Sequence, residues 1–256
     1  MVRISDNFWN EIKHIIPSKT TKIGRPSHCP LLVLSGVFFI MESGSQWRNL
    51  PHYYGKKSTV HRWFTLWVKQ GVFSKILELS IDFSLKRLGS PECFIADTTS
   101  SKSPFAKFAN ISPVDRRKYG IKKSVIIDWN KIIFSIILDS ANTHDSKMLL
   151  GHIPNIKKHI KEKTVVMLAD SAFDVKKLRK NCIKNNIALY ASTNVRRNKN
   201  KQKIYPKGRW KIEQVFGMQQ WLRGIKFCWT KLKNNFLAFC QFAASIHNLR
   251  LAGILG

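Results

Sequence analysis

Up to about residue 90 the apolar side chains recur every three or four positions in four stretches, 6–16, 30–43, 58–70 and 73–88, the spacing of amphipathic helices. Breakers separate them. Gly24-Arg25-Pro26 precedes the second stretch, and Asn49-Leu50-Pro51 with Gly55 precedes the third, where Ser58 or Thr59 is the expected N-cap. From Pro91 the pattern changes to short apolar runs rich in β-branched residues, at 93–97, 123–129, 132–139, 164–169 and 187–191, which predict five strands. Helical spacing returns at 145–160, with Pro154 as an expected break, and at 174–185, 210–222 and 235–251.

The order is three strands, helix, strand, helix, strand and two helices, which predicts a mixed α/β sheet flanked by helices. It resembles a ribonuclease H-like core, here five-stranded and spanning residues 91–256. Residues 1–90 form the preceding all-helical region. The stretch 58–69, coming after the helix at 30–43, suits a helix-turn-helix-like recognition helix with His61 and Arg62 toward DNA, or else a purely structural helical pair. Trp47, Trp63 and Trp67 fit a core better than a stacking platform.

Charge narrows the class of partner. Among 256 residues, 44 Lys and Arg stand against 15 Asp and Glu, a formal net charge of +29, so a nucleic acid is the leading partner and its binding should depend steeply on salt. The longest apolar run, 31–41, is too short to span a membrane. Ser5, Asp6, Asn7, Asn10 and Glu11 interrupt what a secretory segment would keep apolar, so a cytoplasmic location is expected. Five cysteines without a Cys-x-x-Cys pair are expected to be reduced thiols, most of them buried.

Three acids stand out. Asp97 is expected to close the first strand and Asp170 the fourth, and strand ends are where an open sheet places ligands. Glu213 falls on a helix that must dock Ile212 and Phe216 against the sheet, and it is the single acid among residues 175–256, which hold 18 Lys and Arg. Converging carboxylates repel unless a cation neutralises them, and hard oxygens suit Mg²⁺ or Mn²⁺. Two such ions, roughly 3.5–4 Å apart, serve in-line phosphoryl transfer. Taken singly, Asp97 and Asp170 also read as turn caps, and Glu213 as a surface partner of Lys211 or Arg209. Arg209, one turn before Glu213, could hold a phosphate or pair with that glutamate. Arg116, Arg117, Lys118, Lys122 and Lys123 form a basic stretch after the first strand, and 196–203 is a basic loop; both could follow a phosphate backbone or be solvated faces. Asp128, Asp139 and Asp174 read as turn or cap residues, and Asp145 as the cap of the helix it opens.

At these residues the chain resembles the DDE transposases of bacterial insertion sequences, in the compact branch with an uninterrupted catalytic core. The N-terminal strings are Gly24-Arg25-Pro26, Ser43-Gly44-Ser45-Gln46-Trp47-Arg48-Asn49-Leu50-Pro51 and Ser58-Thr59-Val60-His61-Arg62-Trp63-Phe64. Ile95-Ala96-Asp97-Thr98-Thr99 and Leu168-Ala169-Asp170-Ser171-Ala172-Phe173-Asp174 resemble the two aspartate segments. Tyr205, Arg209-Trp210-Lys211-Ile212-Glu213 and Phe216, then Arg223 and Lys231, resemble the third. Tyr205 lies four residues before Arg209 where the family has a shorter gap, and Gln220 stands where the family has a lysine.

The resemblance implies that Asp97, Asp170 and Glu213 are catalytic ligands of two Mg²⁺ or Mn²⁺ ions, with Tyr205, Arg209, Arg223 and Lys231 at the DNA. It implies binding of double-stranded element ends and of target DNA, strand cleavage and strand transfer, and a homodimer or larger assembly on DNA. A decayed copy that only binds DNA and a metal-dependent nuclease are the rival expectations.

Overall fold

The computed structural model describes residues 4–17, 28–113, 118–160, 163–192 and 207–255. Among these residues four helices come first: α1 (Asp6–Ile12), α2 (Pro30–Ser43), α3 (Lys57–Lys69) and α4 (Val72–Leu88). Short 3-10 turns at Trp47–Asn49 and His52–Tyr54 connect α2 to α3. Pro30 suits the first turn of α2, where an N–H would lack a partner anyway, and Gly44 ends that helix in the left-handed region at φ 66°. The cap expected at Ser58 or Thr59 is not used: α3 starts from Lys56, which makes no side-chain cap bond, and both hydroxyl residues lie inside the helix.

The rest of the chain alternates strands and helices. In order these are β1 (Cys93–Lys102), β2 (Asn110–Ile111), β3 (Tyr119–Asp128), β4 (Ile133–Ser140), α5 (Asp145–Ile160), β5 (Val165–Ala169), α6 (Lys176–Lys184), β6 (Ile187–Ala191), α7 (Trp210–Gln220), α8 (Arg223–Lys226) and α9 (Lys233–Leu251). β3 pairs antiparallel with β1 on one side and with β4 and the two-residue β2 on the other. β1 pairs parallel with β5, and β5 with β6. Three antiparallel strands followed by two parallel ones, with helices packed on them, make the ribonuclease H-like sheet, with β2 added to the five expected strands.

Two local expectations are corrected. Asp97 does not close its strand, because β3 offers partners along the whole of β1, from Phe94 opposite Asp128 to Lys102 opposite Gly120. The polar Thr98 to Lys102 segment is thereby held extended although it lacks an apolar alternation. Pro154 does not break α5. Burial of Ile153, Ile156 and Ile160 holds the helix through a residue that costs a helix interior about 3 kcal/mol.

One hydrophobic cluster contains residues of α1 to α4, the sheet and α9. Helix α9 is the joint: Phe242 stacks on Phe8 and meets Phe73, while Phe239 stacks on Phe64. Asn248 is buried in this joint with its polar atoms satisfied. Its amide accepts from Ile133 N at 2.8 Å and donates to Ile133 O at 3.0 Å, and Ser84 Oγ donates to its carbonyl at 2.9 Å. At the other end Gly224 of α8 lies so close to α2 that a Cβ there would sit 2.7 Å from Met41 O. Among the described residues no helix is long and apolar enough to cross a membrane.

Candidate active site

The parallel register of β1 and β5 brings the two aspartates together. Ile95 lies opposite Leu168, and two residues farther along each chain comes an aspartate, Asp97 and Asp170. A strand's side chains alternate with period two, so both carboxylates leave on the same face at the carboxyl end of β5. Each is fixed by the backbone just after it: Thr98 N donates to Asp97 Oδ1 at 2.7 Å, and Ser171 N to Asp170 Oδ1 at 2.6 Å.

Arg209 joins the pair. Its Nη2 donates to Asp97 Oδ2 at 3.1 Å and its Nη1 reaches Asp170 Oδ1 at 3.5 Å, so one guanidinium bridges two carboxylates from neighbouring strands. Its Nε is buried without a partner among the described residues. Burial pushes the Asp97 carboxyl above the usual carboxylate range, against the opposing pull of Thr98 N–H and the Arg209 charge.

The start of α7 is clamped to hold Arg209 there. Gly208, at φ 93°, lies against the Trp129 ring so closely that a Cβ would be 2.4 Å from it. Lys211 Nζ sits 4.4 Å over the same ring and donates to Trp129 O at 3.1 Å. Ile212, Val215 and Phe216 then bury the core face of α7, leaving Glu213 exposed one turn after Arg209. Among the described residues no three His, Cys, Asp or Glu side chains are gathered into a ready metal site, so Glu213 is not drawn in with the aspartate pair. Asp97 Oδ2 and Asp170 Oδ1, two hard oxygens already sharing one cation, are a donor set that suits a divalent ion.

A family model described as a transposase DDE domain matches residues 88–249, from β1 through the sheet to all but the last two residues of α9. The chain belongs to the DDE transposases. A second model, of transposases of the IS4/5 family, matches residues 4–77 of the transposase. The "Insertion element IS402 uncharacterized 16.2 kDa protein" of Burkholderia cepacia is 32% identical over 82 residues, covering 30% of this transposase and 56% of that protein. "Uncharacterized protein y4sN" of Sinorhizobium fredii is 27% identical over 96 residues, covering 38% and 73%. Among solved structures, the piggyBac transposase synaptic complex with hairpin DNA matches with a TM-score of 0.47 at 11% identity, over 98% of this chain and 75% of that one. The catalytic domain of Mos1 mariner transposase matches with a TM-score of 0.30 at 10% identity, over 71% and 92%.

The remaining expected site residues of the transposase fall into three groups. Tyr205, Arg116, Arg117 and the loop 196–203 lie outside the described residues. Lys122 and Lys123 are committed internally: Lys122 pairs with Asp145 at 2.7 Å and donates to Thr143 O, and Lys123 is buried, which pulls its pKa down. The Asp145 carboxylate thus has an ion-pair role. His61, Arg62, Arg223 and Lys231 are exposed, and His61 packs edge-on against Trp47.

Asp128 accepts from Ile132 N across the turn that follows β3, and Asp139, near the end of β4, accepts from Ser140 N. Asp174 pairs with Arg179. All five thiols are free, and only Cys29 is exposed. The sequence did not signal that Arg209 would bridge the aspartates, nor that Trp129 would clamp it. Glycine before Arg209 was the one available hint.

Proposed function

We propose that Asp97, Asp170 and Glu213 are the catalytic carboxylates of this transposase and hold two Mg²⁺ or Mn²⁺ ions while DNA strands are cut and joined. The observation that carries the reading is the register that aligns Asp97 with Asp170 on adjacent parallel strands, already sharing a cation. Glu213 follows Arg209, the residue that bridges the pair, by one turn at the start of α7, and its exposed side chain is the third carboxylate of the reading. When bound, the metal supplies charge neutralisation to the attacking and leaving oxygens of an in-line displacement.

The chain's own residues do the rest. The backbone amides of Thr98 and Ser171 fix the aspartates' orientation. Arg209, released from the carboxylates, presents its fork to a phosphate of the element end, a bidentate geometry that lysine cannot supply. The same arrangement serves hydrolysis at the element end and attack of the freed 3′-hydroxyl on target DNA, because each is an in-line phosphoryl transfer.

The helices of residues 1–90, with His61 and Arg62 exposed on α3, contribute duplex grip beside the catalytic region 91–256. Tyr205, Arg116, Arg117, Lys122, Arg223 and Lys231 are further candidates for DNA contact, and Lys122 would have to leave Asp145 to serve. Two copies hold the paired element ends, and the enzyme works in the cytoplasm on its own element.

The test is strand transfer with pre-cleaved element ends in Mg²⁺. Asp97→Asn should bind the ends as the wild type does and yield no joined product. Normal joining by that variant would overturn the assignment, and wild-type cleavage without joining would make the protein a nuclease.

A further inference from the structure

Five residues past Asp97, about 16 Å along the strand, β1 ends beside a second built surface. The segment that follows α8 is fastened to it. Cys228 N donates to Lys102 O at 2.9 Å, and the buried hydroxyls of Ser101 and Ser103 donate to Ile225 O and Cys228 O. Lys107 N donates to Lys231 O at 3.4 Å. These bonds fix three aromatic rings in a row, Phe105, Trp229 and Phe227. The ring centroids are 5.9 Å and 6.2 Å apart, and the planes are tilted by 34° and 32°.

Phe105 is 57% exposed and Trp229 41%, an unusual expense of aromatic surface. Lysines surround the row: Lys226 lies 5.9 Å from the Phe227 centroid, and Lys107 and Lys231 are exposed beside Trp229. Residues 99–108 and 225–233 contain no acid. A cavity of about 480 Å³ continues the surface inward, with Trp47, His61, Phe239 and Trp229 in its walls.

We propose that this row is a platform for an unpaired DNA strand, the bases stacking on Trp229 and its two phenylalanine neighbours and the phosphates lying against Lys107, Lys226 and Lys231. Rings with interleaved cations are the combination that holds single strands without reading their sequence, because every base offers a flat face. An apolar protein partner would not call for such a ring of lysines. The row continues the strand that carries Asp97, so it is placed to take a strand that has left its complement near the catalytic carboxylates. The proposal rests on the function proposed above and extends it to a second DNA subsite.

The experiment uses the full chain, with fluorescence anisotropy of an oligothymidine of about 12 nucleotides and of a duplex of the same length as probes. The double variant Phe105→Ala, Trp229→Ala should bind the single strand at least about tenfold more weakly, with duplex affinity within about twofold, while Trp229→Phe keeps most of the single-strand affinity. Unchanged single-strand binding, or an equal loss on the duplex, would overturn the platform. If the double variant does not fold, Phe105→Ala alone decides, since its ring is mostly in solvent: a few-fold loss on the single strand only is expected. Asp97→Asn should bind oligothymidine normally; if it also cleaves normally, the catalytic assignment fails and the platform stands.

Discussion

Replacing Arg209 with glutamine removes the cation that, among the described residues, bridges Asp97 and Asp170. The Arg209 side chain is 23% exposed and that of Asp97 18%, and a charge-assisted hydrogen bond in such a setting is worth about 1.5–3 kcal/mol. Asp170 is 47% exposed and its bond is long, 3.5 Å, so solvent screening limits it to no more than about 1 kcal/mol. A combined loss of about 2–3 kcal/mol corresponds to a fall of about 4–12 °C in unfolding temperature for a chain of this size. The effect of metal has the opposite sign. If the proposed metal ligation holds, the wild-type guanidinium competes with a divalent ion for the same oxygens, whereas in Arg209→Gln the two carboxylates face each other without that guanidinium and the ion relieves their repulsion. Thermal unfolding without DNA, in chelator and in millimolar Mg²⁺ or Mn²⁺, measures both halves. The variant should be less stable in chelator and gain more from metal than the wild type. Equal stability in chelator, or a metal-induced gain no larger than that of the wild type, would refute the claim that the guanidinium holds this pair.

Three other outcomes are expected. His152 is buried between Ser135 Oγ and Ser124 Oγ, and burial lowers its pKa from 6.5 to about 3. The unfolded chain therefore takes up a proton that the folded one refuses between those values, and its share of stability, present above pH 6.5, falls by about 1.4 kcal/mol per pH unit over most of that window. Urea unfolding from pH 6.5 to 4.5 should show His152→Gln with a slope shallower by about one proton, and identical slopes would contradict it. Asn248→Ala strands the N–H and C=O of Ile133 in the core and should cost about 2–4 kcal/mol in urea unfolding. Gly224→Ala forces a methyl to within 2.7 Å of Met41 O and should cost about 1–3 kcal/mol; a stabilised variant would show that α2 and α8 are not held at this distance.

Local patterns carried much of the fold. Helix α2 begins at Pro30 and ends at Ser43 as its spacing implies, and β6 spans Ile187–Ala191 as its apolar run implies. These elements are fixed by neighbours in sequence: a proline suited to a first turn, a glycine able to take φ 66°, and an apolar run whose alternate residues Ile187, Leu189 and Ala191 are buried. Strand β1 was legible only to Asp97, because Thr98 to Lys102 are extended by pairing with β3, a partner some twenty residues away. Pro154 misled for the same reason, since burial against the sheet outweighs a local penalty.

The site divides along that line. Sequence alone determined which acids are scarce enough to need a reason, that Asp97 and Asp170 each follow a short apolar run, and that the chain is positive enough to seek DNA, because these are properties of composition and short-range order. Only the tertiary structure decided that Ile95 faces Leu168, which sets the two aspartates side by side, and that Trp129 fixes the start of α7 so that Arg209 reaches both. Register between strands and the aim of a side chain across an interface depend on packing between distant segments, which no short window of sequence contains.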